Sequence, residues 1–150
     1  MAHAWLAPGR PAVTELILVD TTILVSAHDL DAGENRAIAE HILRQLWDDE
    51  SGVVSAFVLR EFYEALTNGA SPVPRRAARD LIDAYRVWPV ATMEPADILA
   101  ASEIEERHRL SFRDAMVIVA ARKSRAAVLL SEQVQPARHI TGLDVKNPFL

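Results

Sequence analysis

The chain has 150 residues, half of them apolar and a quarter charged, which suffices for one domain with a buried core and is too short for two ordinary ones. Its net charge of −5 counts against a protein that grips nucleic acid over a broad basic surface, but not against an enzyme with a local basic rim. Cysteine is absent, which excludes disulfides, thiol nucleophiles and cysteine-based zinc sites and favours a cytoplasmic setting, and no apolar run approaches the roughly 18 residues of a membrane span.

Residues 1–14 carry Pro8, Gly9 and Pro11 and no sustained apolar stretch, so they read as a flexible tail rather than a secretory leader, with 15–150 as the single domain. Leu16-Ile17-Leu18-Val19 is a continuous, partly β-branched apolar run that stops at Asp20, the pattern of a strand buried on both faces in a parallel sheet. Ile38, Ile42, Leu43, Leu46 and Trp47 then fall on one helical face. Ser51-Gly52 breaks that helix and Val53-Val54 opens a second short strand, followed by helix from Ala56 to Thr67, which Asn68-Gly69 stops. A Pro-rich connector leads to a helix over Arg75 to Arg86, with Ala78, Leu81, Ile82 and Tyr85 on one side. Val87 to Thr92 is a strand candidate that Pro89 keeps short or at an edge.

Pro95 suits the first turn of a helix reaching about Arg109. Ser111 opens another whose body, Ala115 to Ala121, is wholly apolar and so should be buried. Ala127 to Leu130 is a strand candidate ending at Ser131-Glu132-Gln133, and His139 to Val145 a final edge strand. Strands alternating with helices indicate one α/β domain with a mostly parallel sheet.

Three carboxylates stand out against their ordinary surroundings. Asp20 follows four apolar residues at a strand's carboxyl end, where ligands bind in open parallel sheets; the plainer reading is a turn or cap in Asp20-Thr21-Thr22. Glu61 borders the stripe of Val58, Phe62, Ala65 and Leu66, whereas Glu64 should face water. Asp114 starts a helix that is apolar all round, in Ser111-Phe112-Arg113-Asp114, a sequence that resembles a capping box. Brought together, such acids repel, and a hard divalent cation such as Mg²⁺ or Mn²⁺ removes that penalty. Phosphodiester hydrolysis is the natural reaction class for carboxylates with such an ion.

The order Ile17 to Leu24, Val58-Leu59-Arg60-Glu61-Phe62, Leu110 to Ala115 and Leu129-Leu130-Ser131-Glu132 resembles the PIN domain family, and within it the VapC-type toxins of bacterial toxin–antitoxin pairs. The segment from Ile140 to Phe149 resembles the ending of one VapC subgroup, so the likeness runs from about Leu16 to Phe149. It implies a doubly wound α/β/α sandwich and a Mg²⁺- or Mn²⁺-dependent endoribonuclease acting on RNA. It further implies a homodimer, silenced by a small VapB-like antitoxin whose C-terminal segment reaches the active site. Carried over by position, Asp20, Glu61 and Asp114 match the first three acids of the family, and Thr21 a hydroxyl that supports the first. Thr22 stands where Asn or Ser is usual, and Gln133 where a fourth acid is usual. Gln offers a carbonyl oxygen without charge. Glu132 is adjacent, although neighbouring strand residues point to opposite faces. The expectation is one well-held metal and a weaker second site.

The histidines at 3, 28, 41, 108 and 139 have no metal-type spacing. Arg75, Arg76 and Arg79, and Arg122, Lys123 and Arg125, form basic clusters that suit solvated helix faces or RNA phosphates. Arg113 is the better placed for a substrate phosphate or for pairing with an acid. Two rival readings stay open: a PIN-like domain that lost activity with its fourth acid and works as a protein- or RNA-binding module, and a phosphohydrolase of small phosphate esters.

Overall fold

The structure is a computed structural model and describes residues 15–134, 140 and 142–150. In chain order the elements are β1 (Ile17–Val19), α1 (Thr21–His28), α2 (Glu34–Asp48), β2 (Gly52–Ser55), α3 (Ala56–Asn68), α4 (Arg75–Tyr85), β3 (Val90–Ala91), α5 (Pro95–His108), α6 (Phe112–Lys123), β4 (Val128–Leu130) and β5 (Asp144–Lys146). The strands form one sheet in the order β3-β2-β1-β4-β5, with every pairing parallel. From β1 the chain winds outward through β2 to β3, then returns to lay β4 on the other side of β1 and β5 beyond it. Right-handed crossovers in the two directions put helices on both faces, the doubly wound α/β/α arrangement expected from the alternation of elements.

Parallel strands covered on both faces are mostly apolar, and β1, β2 and β4 are buried at every position, the one polar residue among them being Ser55, whose hydroxyl caps α3. From the helices, Phe62 of α3, Ile42 and Leu46 of α2, Ile23 and Leu24 of α1 and Ile118 of α6 are the largest side chains packed fully inside, against Ile17, Leu18, Leu129 and Leu130 of the strands. Each such side chain contributes roughly 1.5–3 kcal/mol through burial. The wholly apolar stretch of α6 is buried as expected, Met116 alone of residues 115–121 being half-exposed.

Two elements, α1 and the last strand, depart from the sequence expectation. Helix α1 follows β1 directly with Asp20 as its cap, the second of the two plain readings of that residue, although no helix is expected over 21–28; its apolar residues do not form one stripe, because it is buried along much of its surface. Strand β3 is by contrast as expected, two residues long and at the sheet edge, with Pro89 just before it. The last strand lies at Asp144–Lys146, later than expected, while His139 and Thr141 of the predicted strand, like the predicted tail at 1–14, fall outside the described residues. Among the described residues no helix is long and apolar enough to cross a membrane.

Candidate active site

The order of the strands changes direction between β1 and β4, and the crevice beyond their carboxyl ends is where an open α/β sheet places its ligands. Register pairs Val19 with Leu130, so the next residues, Asp20 and Ser131, meet at that crevice. Asp20 is completely buried and is the N-cap of α1, its Oδ1 accepting the Thr21 backbone N–H at 2.7 Å. The Ser131 hydroxyl, also fully buried, donates to Asp20 Oδ2 at 2.6 Å and accepts the backbone N–H groups of Gln133 and Val134. Capping accounts for an acid at this helix start.

Glu61 arrives from the second turn of α3, its side chain 24% exposed, whereas Glu64 on the same helix is 55% exposed and pairs with Arg60. That contrast follows the helical arithmetic of the sequence. The Thr21 hydroxyl donates to Glu61 Oε1 at 2.6 Å. Thr21 therefore supports two acids by different groups: its backbone N–H serves Asp20, and its hydroxyl serves Glu61 rather than the first acid. Asp114 lies in the first turn of α6, where its N–H is capped by Ser111 Oγ at 3.1 Å. Of the capping box suggested by the sequence, this is the bond that forms, and the Asp114 carboxylate turns to Arg113 instead.

Arg113 joins these acids. Its Nη2 and Nη1 donate to Asp20 Oδ1 at 2.5 Å and Oδ2 at 3.0 Å. Nη2 and Nε donate to Glu61 Oε1 at 2.7 Å and Oε2 at 3.2 Å. Nη1 also reaches Asp114 Oδ1 at 3.2 Å, and Nη2 reaches the Thr21 hydroxyl at 3.1 Å. The flat face of the guanidinium lies 5.9 Å from the centre of the Phe57 ring, which Arg60 also approaches at 5.4 Å. Burial pushes the Glu61 carboxyl up, but hydrogen bonds from Arg113 and Thr21 and the charges of Arg113 and Arg60 together hold it below its ordinary value. For Arg113 burial disfavours the charge, and the bonds and charges of Asp20 and Glu61 outweigh it, so the guanidinium stays protonated.

The structure thus brings Asp20, Glu61 and Asp114, acids far apart in sequence, onto one cation. It does not set them around a space of ionic size: among the described residues no three acid or imidazole side chains are spaced to hold a metal ion, and the guanidinium stands between them. The donor set is entirely oxygen, which suits a hard cation. Glu132 and Gln133 are exposed beside the cluster and line a groove of about 900 Å³ that also takes in Thr21, Glu61, Arg113 and His28. Ser131 is the residue that sequence reading missed; the signal was a small hydroxyl residue closing an apolar strand beside the strand that ends at Asp20. The basic clusters on α4 and at the end of α6 are exposed, and Lys123 of the second ties α6 to α5 through Asp97 at 2.7 Å.

The model of the PIN domain family matches residues 17–134. No curated protein matches the sequence. Among solved structures, the VapC20 toxin of Mycobacterium tuberculosis, described as cleaving the sarcin–ricin loop, superposes with a TM-score of 0.59 at 22% identity, covering 75% of this chain and 86% of that one. A toxin–antitoxin complex from Klebsiella pneumoniae gives 0.66 at 17% identity over 88% of this chain and 97% of that one. VapBC2 of Rickettsia felis, bound to a fragment of its promoter DNA, gives 0.62 at 14% identity over 88% and 98%. At these identities the likeness to the solved structures is one of fold.

Proposed function

We propose, from the premise that this chain belongs to the PIN domain family, that it is a divalent-metal-dependent endoribonuclease and the toxin of a toxin–antitoxin pair. One observation carries the reading. Asp20, Glu61 and Asp114 come from three separate elements to share a single positive charge at the switch point of the sheet. Three formal negative charges against one leave this crevice able to attract a further cation.

The residues fit Mg²⁺ or Mn²⁺ by chemistry, with Asp20, Asp114 and Glu61 as the oxygen donors and Gln133 or Glu132 at the groove as weaker, additional ones. Such an ion, when bound, activates water and stabilises negative charge developing on phosphate. The protein's own contribution is preorganisation. Ser131 and the Thr21 N–H fix Asp20 in one orientation, and the Thr21 hydroxyl fixes Glu61. Phe57 and Arg60, beside the cluster, offer an aromatic face and a positive charge to an incoming nucleotide. The groove beside the cluster suits the C-terminal segment of a VapB-like antitoxin, and a second copy of the chain completes the assembly; the solved structures of similar fold include toxin–antitoxin complexes.

The test is cleavage of single-stranded RNA by the purified protein with Mg²⁺ or Mn²⁺, beside a phosphate monoester. RNA cleavage is expected, abolished by EDTA and by Asp20→Asn or Asp114→Asn. Expression should arrest bacterial growth, and Asp114→Asn should relieve the arrest. A second reading draws on the saturation of the acids by Arg113 and on Gln133 in place of a fourth acid: a PIN-like domain without activity that binds protein or RNA. Absence of metal binding and of cleavage, with Asp20→Ala indistinguishable from wild type, would favour that one.

A further inference from the structure

We propose that Arg113 is a built-in counter-cation of the carboxylate cluster, holding the metal-free site together and leaving it when a divalent cation enters. The inference rests on the metal-dependent reading above. A carboxylate offers about four acceptor positions. All four on Asp20 are filled, by the Thr21 N–H, the Ser131 hydroxyl and two N–H groups of Arg113. An ion can reach Asp20 only by displacing one of these donors.

Two of the three donor groups cannot withdraw. The Thr21 N–H belongs to the first turn of α1, and Ser131 is fully buried while accepting two backbone N–H groups. Arg113 can withdraw, because its side chain is 22% exposed and lines the open groove. A single rotation of that side chain frees oxygens on Asp20, Glu61 and Asp114 together, since it bonds to all three. Phe57, already 5.9 Å from the guanidinium carbon, gives it an aromatic surface on leaving. Charge favours the exchange: the acids total −3, which Arg113 brings to −2 and a divalent ion in its place brings to −1.

The experiment compares Mn²⁺ binding by calorimetry, and melting in EDTA and in Mn²⁺, for wild type, Arg113→Gln, Arg113→Lys and Asp20→Asn. In addition, the Arg113 Nε–H resonance of the wild type is followed during Mg²⁺ titration. Arg113→Gln should bind Mn²⁺ roughly tenfold more tightly, as expected when a competing cation is removed. It should melt lower than wild type in EDTA and gain more from Mn²⁺, with Arg113→Lys between the two. Asp20→Asn should lose the binding, and the Nε–H resonance should move as Mg²⁺ saturates. Wild type that binds Mn²⁺ with Arg113→Gln no tighter, or a resonance unmoved at saturation, overturns the proposal. The resonance decides the matter if Arg113→Gln fails to fold. If no variant and no wild type binds Mn²⁺, the metal-dependent reading fails first and this one with it.

Discussion

Replacing Ser131 by alanine removes one oxygen that is fully buried and bonded three times. Its bond to the Asp20 carboxylate, at 2.6 Å, belongs to the class of hydrogen bonds to charged groups, worth about 1.5–3 kcal/mol. The Val134 N–H, in a fully buried residue, then loses its acceptor, which costs about 1–3 kcal/mol more. A loss near 3 kcal/mol is therefore expected, a large part of the roughly 5–15 kcal/mol that holds such a domain folded. For a chain of this size it lowers the melting temperature by roughly 6–12 °C, at about 2–4 °C per kcal/mol. Urea unfolding of Ser131→Ala, Asp20→Ala and the double variant separates the two contributions, because with Asp20 absent only the backbone part of the loss persists. A loss below about 1 kcal/mol, or an equal loss with and without Asp20, refutes the assignment of Ser131 as the partner that fixes this acid.

Gly52→Ala should destabilise by about 1–3 kcal/mol in urea unfolding. A Cβ there meets the Trp88 ring at 2.6 Å, and that ring is confined by Trp47 and Tyr85, each at 5.5 Å, so wild-type stability would contradict the packing. Glu61 titrates in the fold below its ordinary 4.5, so its contribution is complete above about pH 4.5 and drains away as pH falls through the lower folded value. Glu61→Gln should accordingly flatten the pH dependence of stability below 4.5, and an unchanged slope would refute this. His28, half-buried against Phe62 and Tyr85, is held below 6.5 by burial, with Glu40 opposing and Arg36 reinforcing. The unfolded chain then takes up a proton first on acidification, so stability is full above 6.5 and declines below it, a decline His28→Phe should lessen; an NMR titration midpoint at or above 6.5 counts against it.

Much of the fold was legible because burial leaves a simple mark on a sequence. A strand covered on both faces favours apolar residues, so β1 and β4 show as apolar runs and β2 as Val53-Val54, and α2, α3 and α4 show as stripes. Helix α1 lacks that contrast, and its β-branched residues and leading threonines favour other readings. At the site, Asp20 was legible by its place after β1 and Glu61 by its place beside a stripe. The reach of Arg113 was not, since a long flexible side chain takes its partners from tertiary geometry that adjacent sequence does not encode. The same holds for the Thr21 hydroxyl, which bonds 40 residues away rather than to its neighbour.

The bond between Ser131 and Asp20 closes a span of 111 residues, and Arg113 reaches Asp20 across 93. Contacts so far apart in sequence require most of the chain to be present before the crevice can close. A polypeptide still emerging from the ribosome without its fourth strand has Asp20 with neither Ser131 nor a wall opposite it. A fragment that stops before that strand lacks the hydroxyl that fixes Asp20 and the strand beside β1, so the crevice is complete only in the whole domain.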